Sequence, residues 1–437
     1  METNKFPHSD FQWENVEQLK KINWLSPEIQ SRERTRGYIL ETTLEIPPAL
    51  QDISESLPLV PERRHVQLED LSPDQIQTMN SLGAATARTY LSTSKLLSTF
   101  YEKKHYVLHY RVLMFYLRMG VVLKDIHSGF SFEEKAFLKS FIESNTEKRK
   151  RAKTDSEEAL LKLVNNGTFG KFLQSGENML TIRFCGGREK ARQLLSMEGC
   201  VDFDIINEHL CILKFKPTSI MLNKPLQVGM SVLDFAKEIF YSGVYEQLGS
   251  MFDKNMYSIF TDTDSTLMEI QGNEKDIWRK IVARKEMFDF SKIPKDHEIF
   301  TMFPEFPDLR EFNRNSSGKW KIESLDVSQS VTLKSKQYSL IYHNQASKPL
   351  MKNKGIPSAT LETFCSHDTY KNVVVTTDPC EKVKKVDVSN IRSYNHVLYK
   401  TMSKKLGFHC LDFSRVYPKS NDYNYSLPFG SYKLSNM

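Results

Sequence analysis

No run of about 18 apolar residues occurs anywhere in the 437 residues, so the sequence offers no membrane-spanning helix. The most apolar helical stretch, Tyr106 to Leu123, is interrupted by His109, Arg111 and Arg118 and reads as a core helix. Mean hydropathy is −0.46. The first residues, Met1 to Lys5, lack the apolar region of a signal peptide, so an intracellular, non-secreted protein is expected, nuclear and cytoplasmic placement being equally open. Paired cysteine is missing as well. Cys185, Cys200, Cys211, Cys365, Cys380 and Cys410 form no CxxC, which excludes a zinc ribbon and a disulfide scaffold; reduced, mostly buried thiols are expected. Neither sign of charge dominates: 60 Lys and Arg face 54 Asp and Glu, for a net +6 that permits nucleic-acid binding without arguing for it. No internal repeat stands out.

What is present suits a globular protein of two or three subdomains, with 40% hydrophobic and 11% aromatic residues. Residues 1–80 are rich in proline and charge, with one strand-like piece at Tyr38 to Ile46. Helical patterns follow at Leu82 to Tyr101, Tyr106 to Ile126 and Phe132 to Ser144, the second with Val107, Tyr110, Met114, Leu117 and Val121 in one stripe. Residues 146–175 read as a helical pair, and Phe203 to Phe215 as a hairpin around Asn207-Glu208-His209. Ser231 with Asp234 reads as an approximate capping box opening a helix. Strands are expected at Lys319 to Ile322 and Gln337 to Tyr342, before a lysine-rich end.

Two constellations carry chemistry. Met256 to Phe260 reads as a strand and Leu267 to Ile270 as its return, which puts Asp262 and Asp264 at the hairpin turn. Carboxylates so placed suit Mg²⁺, a hard cation that keeps positions open for water and phosphate. A turn whose aspartates cap its own amides has the same residues. The second constellation is basic. Lys148 to Lys153 carries a cation at every position but Ala152. Lys162, Asn166, Phe169 and Gly170 share one helix face, and Arg151, about three turns earlier, reaches it. Cations and a glycine on one face suit a triphosphate; a solvated helix ending at a glycine cap has the same pattern.

The order of these pieces, with Lys336-Gln337-Tyr338 following, resembles family B DNA polymerases, particularly the protein-primed branch of polinton, viral and mitochondrial-plasmid type. Lys162 to Gly170 is similar to that family's KxxxNSxYG motif, departing at Gly167 and Phe169. Thr261 to Ser265 matches TDTDS, Lys336 and Tyr338 match KxY, and Lys354-Gly355 resembles a thumb signature. His109-Tyr110-Arg111, Asn145 to Arg149, Leu222 to Pro225 and Arg392-Ser393 also look familial. The resemblance runs from near residue 6 to beyond residue 390.

It implies an α+β right-hand fold lacking the exonuclease domain and the start of the palm. The implied parts are a residual palm segment at 1–13, a protein-priming-type insertion with adjoining helices at 14–105, and a helical region with fingers at 106–175. A second insertion at 176–228, a palm at 229–345 and a thumb with tail at 346–437 complete the chain. Asp264 would bridge two Mg²⁺ ions, with Asp262 its supporting neighbour. Lys162, Asn166, Gly170, Arg151 and Lys150 would hold the incoming nucleotide, and Lys336, Tyr338 and Lys354 the primer. The implied partners are template-primer DNA, deoxynucleoside triphosphates and a terminal priming protein, with no membrane. The family's earlier DxxxLYx carboxylate has no counterpart, so the chain is expected to start inside the palm, as a polymerase fragment or an inactive DNA-binding remnant of a mobile-element or viral enzyme. Threonine at 43 and isoleucine at 46 also depart from the pattern, and replacement of the lost ligand by Glu41 or Glu45 is not expected.

Overall fold

The computed structural model describes every residue except 1–3, 32, 178, 254, 324–326, 344–347, 377, 379–380, 395–396, 410–413, 419–424 and 437. The fold is α+β, with mostly antiparallel sheets and helices packed beside them. Its central sheet holds Phe6–Trp13, Val122–Lys135, Arg36–Glu45 and Lys103–His109 in that spatial order, every neighbour antiparallel. Leu40, Leu44 and Leu108 project from it into a core shared with Leu113, Phe115, Tyr116 and Tyr241. Phe6 is wholly buried and meets Phe235 with ring centroids 5.5 Å apart, which ties the first strand to the helix Leu226–Ser242.

Several sequence expectations need correction here. The pattern over 106–126 is a strand, a helix and a strand: Lys103–His109, Tyr110–Met119 and Val122–Lys135. His109 accepts the Arg111 amide at 3.4 Å as an N-cap, and Gly120, at φ +102, ends the helix in the left-handed region that glycine tolerates. Val107, counted in the helical stripe, is instead a strand residue 50% exposed. Phe132 is likewise on a strand, and the helix expected there runs Lys139–Lys150. The pattern from Leu82 contains only Ala84–Ser92 before a strand at Lys95–Leu97. Ser231 caps nothing: it lies buried inside Leu226–Ser242, donating to the Gln227 carbonyl at 2.7 Å. Asp234 accepts the His109 amide at 2.8 Å, so its carboxylate joins helix to sheet. Of the described cysteines only Cys185 is buried; Cys200, Cys211 and Cys365 are half-buried and all four are free thiols, while Cys380 and Cys410 lie outside the described residues.

Other expectations hold. The strand expected from Tyr38 is Arg36–Glu45; of the helical pair expected over 146–175, Asp155–Phe172 is present, but the other member is only the end of Lys139–Lys150, and Arg151 caps that helix rather than sharing a face with Lys162. Phe203 to Phe215 is a hairpin, joined by an unexpected third strand, Thr181–Cys185. Met256–Asp262 and Ser265–Ile270 form the aspartate hairpin. Val327–Lys334, Gln337–Tyr342 and Leu350–Asn353 form a three-stranded sheet, followed by a long ribbon, Val383–Tyr394 with Val397–His409. A second core joins Val66, Leu71, Met79 and Leu97 to Leu333, Tyr370, Val388, Phe408 and Phe429, binding the early segment to the late one. No described helix is long and apolar enough to cross a membrane.

Candidate functional site

The aspartate hairpin is anchored at its base and open at its tip. Met256 and Met268 pack against both the central core and a third cluster built on Trp278, Ile281 and Phe290. The Ser258 amide donates to Ser56 Oγ at 3.4 Å. At the other end Asp262 pairs with Ser265, leaving Thr263-Asp264 as a two-residue turn. Thr263 has φ +64, and the Asp264 amide donates to the Asp262 carbonyl at 2.8 Å, a strained γ-turn around a β-branched residue. Ser265 Oγ donates to the same carbonyl at 3.2 Å. The turn thus closes on the Asp262 backbone carbonyl, and among the described residues no backbone amide donates to either carboxylate, in contrast to the capping reading of the sequence. Asp262 Oδ1 accepts from Thr263 Oγ1 at 3.3 Å, while Asp264 is exposed.

A second hairpin meets this tip. Lys334 pairs with Gln337, so Ser335-Lys336 is its turn, and Lys336 has φ +62. Lys336 Nζ lies 3.3 Å from Asp262 Oδ1. Two residues along, Tyr338 stacks on Phe260 with centroids 4.8 Å apart and planes inclined by 26°. The Lys354 amide donates to the Lys336 carbonyl at 3.1 Å, and Lys352 is the cross-strand neighbour of Tyr338. Behind the turn, Gln337 and Asn353 both donate to the Gly407 carbonyl, the latter at 2.7 Å, fastening the sheet to the ribbon. Burial holds the Tyr338 hydroxyl above its usual pKa, with the Glu323 charge, Tyr342 and the Asp262 charge adding to the shift. The tertiary fold thus brings together Asp262, Asp264, Lys336, Tyr338 and Lys354. Phe260 and Lys352 join them unforeseen; an aromatic ring two positions before Asp262 was the available signal for the first, and lysine in alternation with Lys354 for the second.

The helical residues stand apart. Lys162, Asn166 and Gly170 are exposed on Asp155–Phe172, a helix with no buried residue. The helices are clamped together by Arg149 to Glu158 at 2.8 Å and by Asn145 to Asn165 at 3.0 Å, so Asn165, rather than Asn166, serves the interface. Lys150 and Arg151 lie 3.2 Å and 3.9 Å from Glu147 carboxylate oxygens. Among the described residues no hydrogen bond or ion pair joins Lys162 or Asn166 to either aspartate. A Cβ built on Gly170 would meet nothing within 4 Å, so the chain itself does not require glycine there.

Glu41 and Glu45 are engaged elsewhere. Glu41 accepts from Ser128 at 2.7 Å and binds His105 Nδ1 at 2.9 Å, contacts that hold its carboxyl below the usual range. Glu45 pairs with Lys124, and Thr43 bonds His127 at 2.7 Å. Among the described residues no group of three His, Cys, Asp or Glu is placed to hold a metal ion. The donor set at the turn, two carboxylates around an open tip, fits one hydrated Mg²⁺ held jointly with a phosphate. It does not fit an all-protein cage, and the Lys336 ammonium already stands as a cation at Asp262.

No model of a known protein family matches the sequence, and no curated protein matches it. Among solved structures, phi29 DNA polymerase complexed with primer-template DNA aligns over 93% of this chain and 55% of its own, with TM-score 0.49 and 12% identity. The same enzyme with primer-template DNA and incoming nucleotide substrates aligns over 94% and 55%, with TM-score 0.48 and 13% identity. The chain spans a little over half the length of those structures.

Proposed function

We propose that this chain carries the palm, fingers and thumb of a DNA-directed DNA polymerase of family B, protein-primed branch. The observation that carries the proposal is the meeting of two motifs far apart in sequence: Lys336 reaches Asp262 at 3.3 Å while Tyr338 stacks on Phe260. A turn that merely capped its own amides has no use for a second hairpin bringing a lysine and a tyrosine to it. In this reading residues 229–345 form the palm, 106–175 the helical region and fingers, and 346–437 the thumb and tail. Segments 14–105 and 176–228 are insertions, and 1–13 belongs to the palm.

The reaction is attack of a primer 3′-hydroxyl on the α-phosphate of a deoxynucleoside triphosphate, releasing pyrophosphate. Asp262 and Asp264 would hold Mg²⁺, which when bound supplies charge stabilisation to the oxygens of the transferring phosphoryl group. Lys336, Lys352 and Lys354 line the side from which a primer phosphate approaches, and the Tyr338 ring, fixed by Phe260, supports the terminal nucleotide. Lys162, with Asn166 and Gly170 on the same face of Asp155–Phe172, and Lys150 and Arg151 at the end of the preceding helix offer cations to the triphosphate. A terminal priming protein is the partner this branch implies.

A second reading, a DNA-binding remnant without chemistry, is favoured by one observation: no third carboxylate joins Asp262 and Asp264 among the described residues. Primer extension by purified 1–437 with Mg²⁺ decides between them. Incorporation that disappears in Asp264→Ala supports the enzyme, whereas DNA binding with no incorporation supports the remnant.

A further inference from the structure

The two hairpin tips that meet at Asp262 are both strained at the point of contact. Thr263 at φ +64 and Lys336 at φ +62 sit where glycine or asparagine is the easy choice, and one of them is β-branched. Strain held at a contact between two turns draws attention to the contact itself. It consists of one ammonium and one carboxylate oxygen, 3.3 Å apart, with the lysine side chain 54% exposed and the aspartate 29%. The hairpins have another bond close by, the Phe260–Tyr338 stack, so the ammonium can swing away without the hairpins separating. Lys352 and Lys354 lie beside Lys336 on the adjoining strand and turn. An ammonium displaced from Asp262 therefore enters a cationic neighbourhood, which is favourable only when an anion occupies it.

We propose that Lys336 is a built-in counter-ion for Asp262, exchanged for a divalent cation when a phosphate takes its ammonium. Cation binding at the aspartate turn and phosphate binding at the lysines then favour one another. The two cations compete for one carboxylate oxygen, so whatever removes Lys336 raises divalent affinity, and by reciprocity a bound divalent cation raises affinity for the phosphate. The inference deepens the polymerase reading and rests on it only for the source of the phosphate, a nucleic-acid strand.

The test is a Mn²⁺ titration followed by electron paramagnetic resonance, on the full chain as wild type, Lys336→Met and Lys336→Arg, with and without a short DNA duplex. The expected effect is about threefold, the scale of a partly exposed ion pair. Wild type binds Mn²⁺ about threefold more tightly when duplex is present. Lys336→Met is already that tight without duplex and gains less from it than wild type does, and Lys336→Arg follows wild type. Asp262→Asn abolishes the difference between lysine and methionine at 336. Equal Mn²⁺ affinity of duplex-free wild type and Lys336→Met overturns the proposal, as do a duplex gain in Lys336→Met as large as in wild type and failure of both proteins to bind Mn²⁺. Failure of wild type to bind duplex sinks the polymerase reading instead, and the duplex-free comparison still decides the role of Lys336.

Discussion

Lys103 makes a sharp test of the physical reasoning. Its side chain is fully buried, with Nζ 2.7 Å from Glu62 Oε1 and 3.0 Å from the Thr99 carbonyl. Burial outweighs the attraction of Glu62, and the Lys103 pKa falls from 10.5 to about 8. The unfolded chain then holds this proton at higher pH than the folded chain, so stability rises with pH through about 8 and levels off by about 10.5. Integrated over these two values, the gain between pH 7 and 9.5 comes to about 2 kcal/mol. Thiols and phenols act in the opposite direction: burial raises the Cys211, Cys365 and Tyr110 pKa values, so they weaken the fold at high pH. Those groups are common to wild type and Lys103→Met, and the difference between the two proteins isolates Lys103. Urea unfolding at pH 7 and 9.5 should show wild type gaining about 2 kcal/mol relative to Lys103→Met. A difference that stays constant across this range, or shrinks, would refute the argument.

Three further outcomes are expected. Affinity for duplex DNA should fall as salt rises, with a log–log slope near −3 if Lys336, Lys352 and Lys354 each meet a phosphate; filter binding across a salt series that shows no slope counts against a nucleic-acid surface there. Lys162→Ala should weaken triphosphate binding more than duplex binding, measured by fluorescence titration of each ligand, and equal losses would place Lys162 outside the nucleotide pocket. Gly229→Ala puts a Cβ about 2.5 Å from Leu173 Cγ, at the seam between the helix Leu226–Ser242 and the end of the basic pair. A loss of about 1–3 kcal/mol in thermal or urea unfolding should follow, and a stability equal to wild type would mean that Leu173 moves aside freely.

The elements legible in sequence were those whose signals were local and agreed with one another. The aspartate hairpin joins two apolar strands across a polar turn, so pattern and turn chemistry point the same way. The helix Asp155–Phe172 has Thr154 accepting the Glu157 amide at its start, and the helix before it ends in cations. The stretch from Lys103 to Lys135 defeated periodicity because it is apolar enough to satisfy both the helical and the strand repeat. What separates them is a histidine cap, a left-handed glycine and, above all, the pairing of both strands with Arg36–Glu45. Ser231 was misplaced for a related reason: serine bonds the carbonyl one turn back inside a helix as readily as it caps one.

By itself the sequence determined which candidate motifs are present and in what order, because motif residues are covalent facts and turns are made by neighbours. It also determined that Asp262 and Asp264 share a turn. Only the tertiary structure decided that Lys336 and Tyr338 come to that turn, that Phe260 and Lys352 belong with them, and that Glu41 and Glu45 are committed to His105, Ser128 and Lys124. Contacts between segments some seventy residues apart depend on how separate cores pack, and no local repeat in the chain encodes that packing.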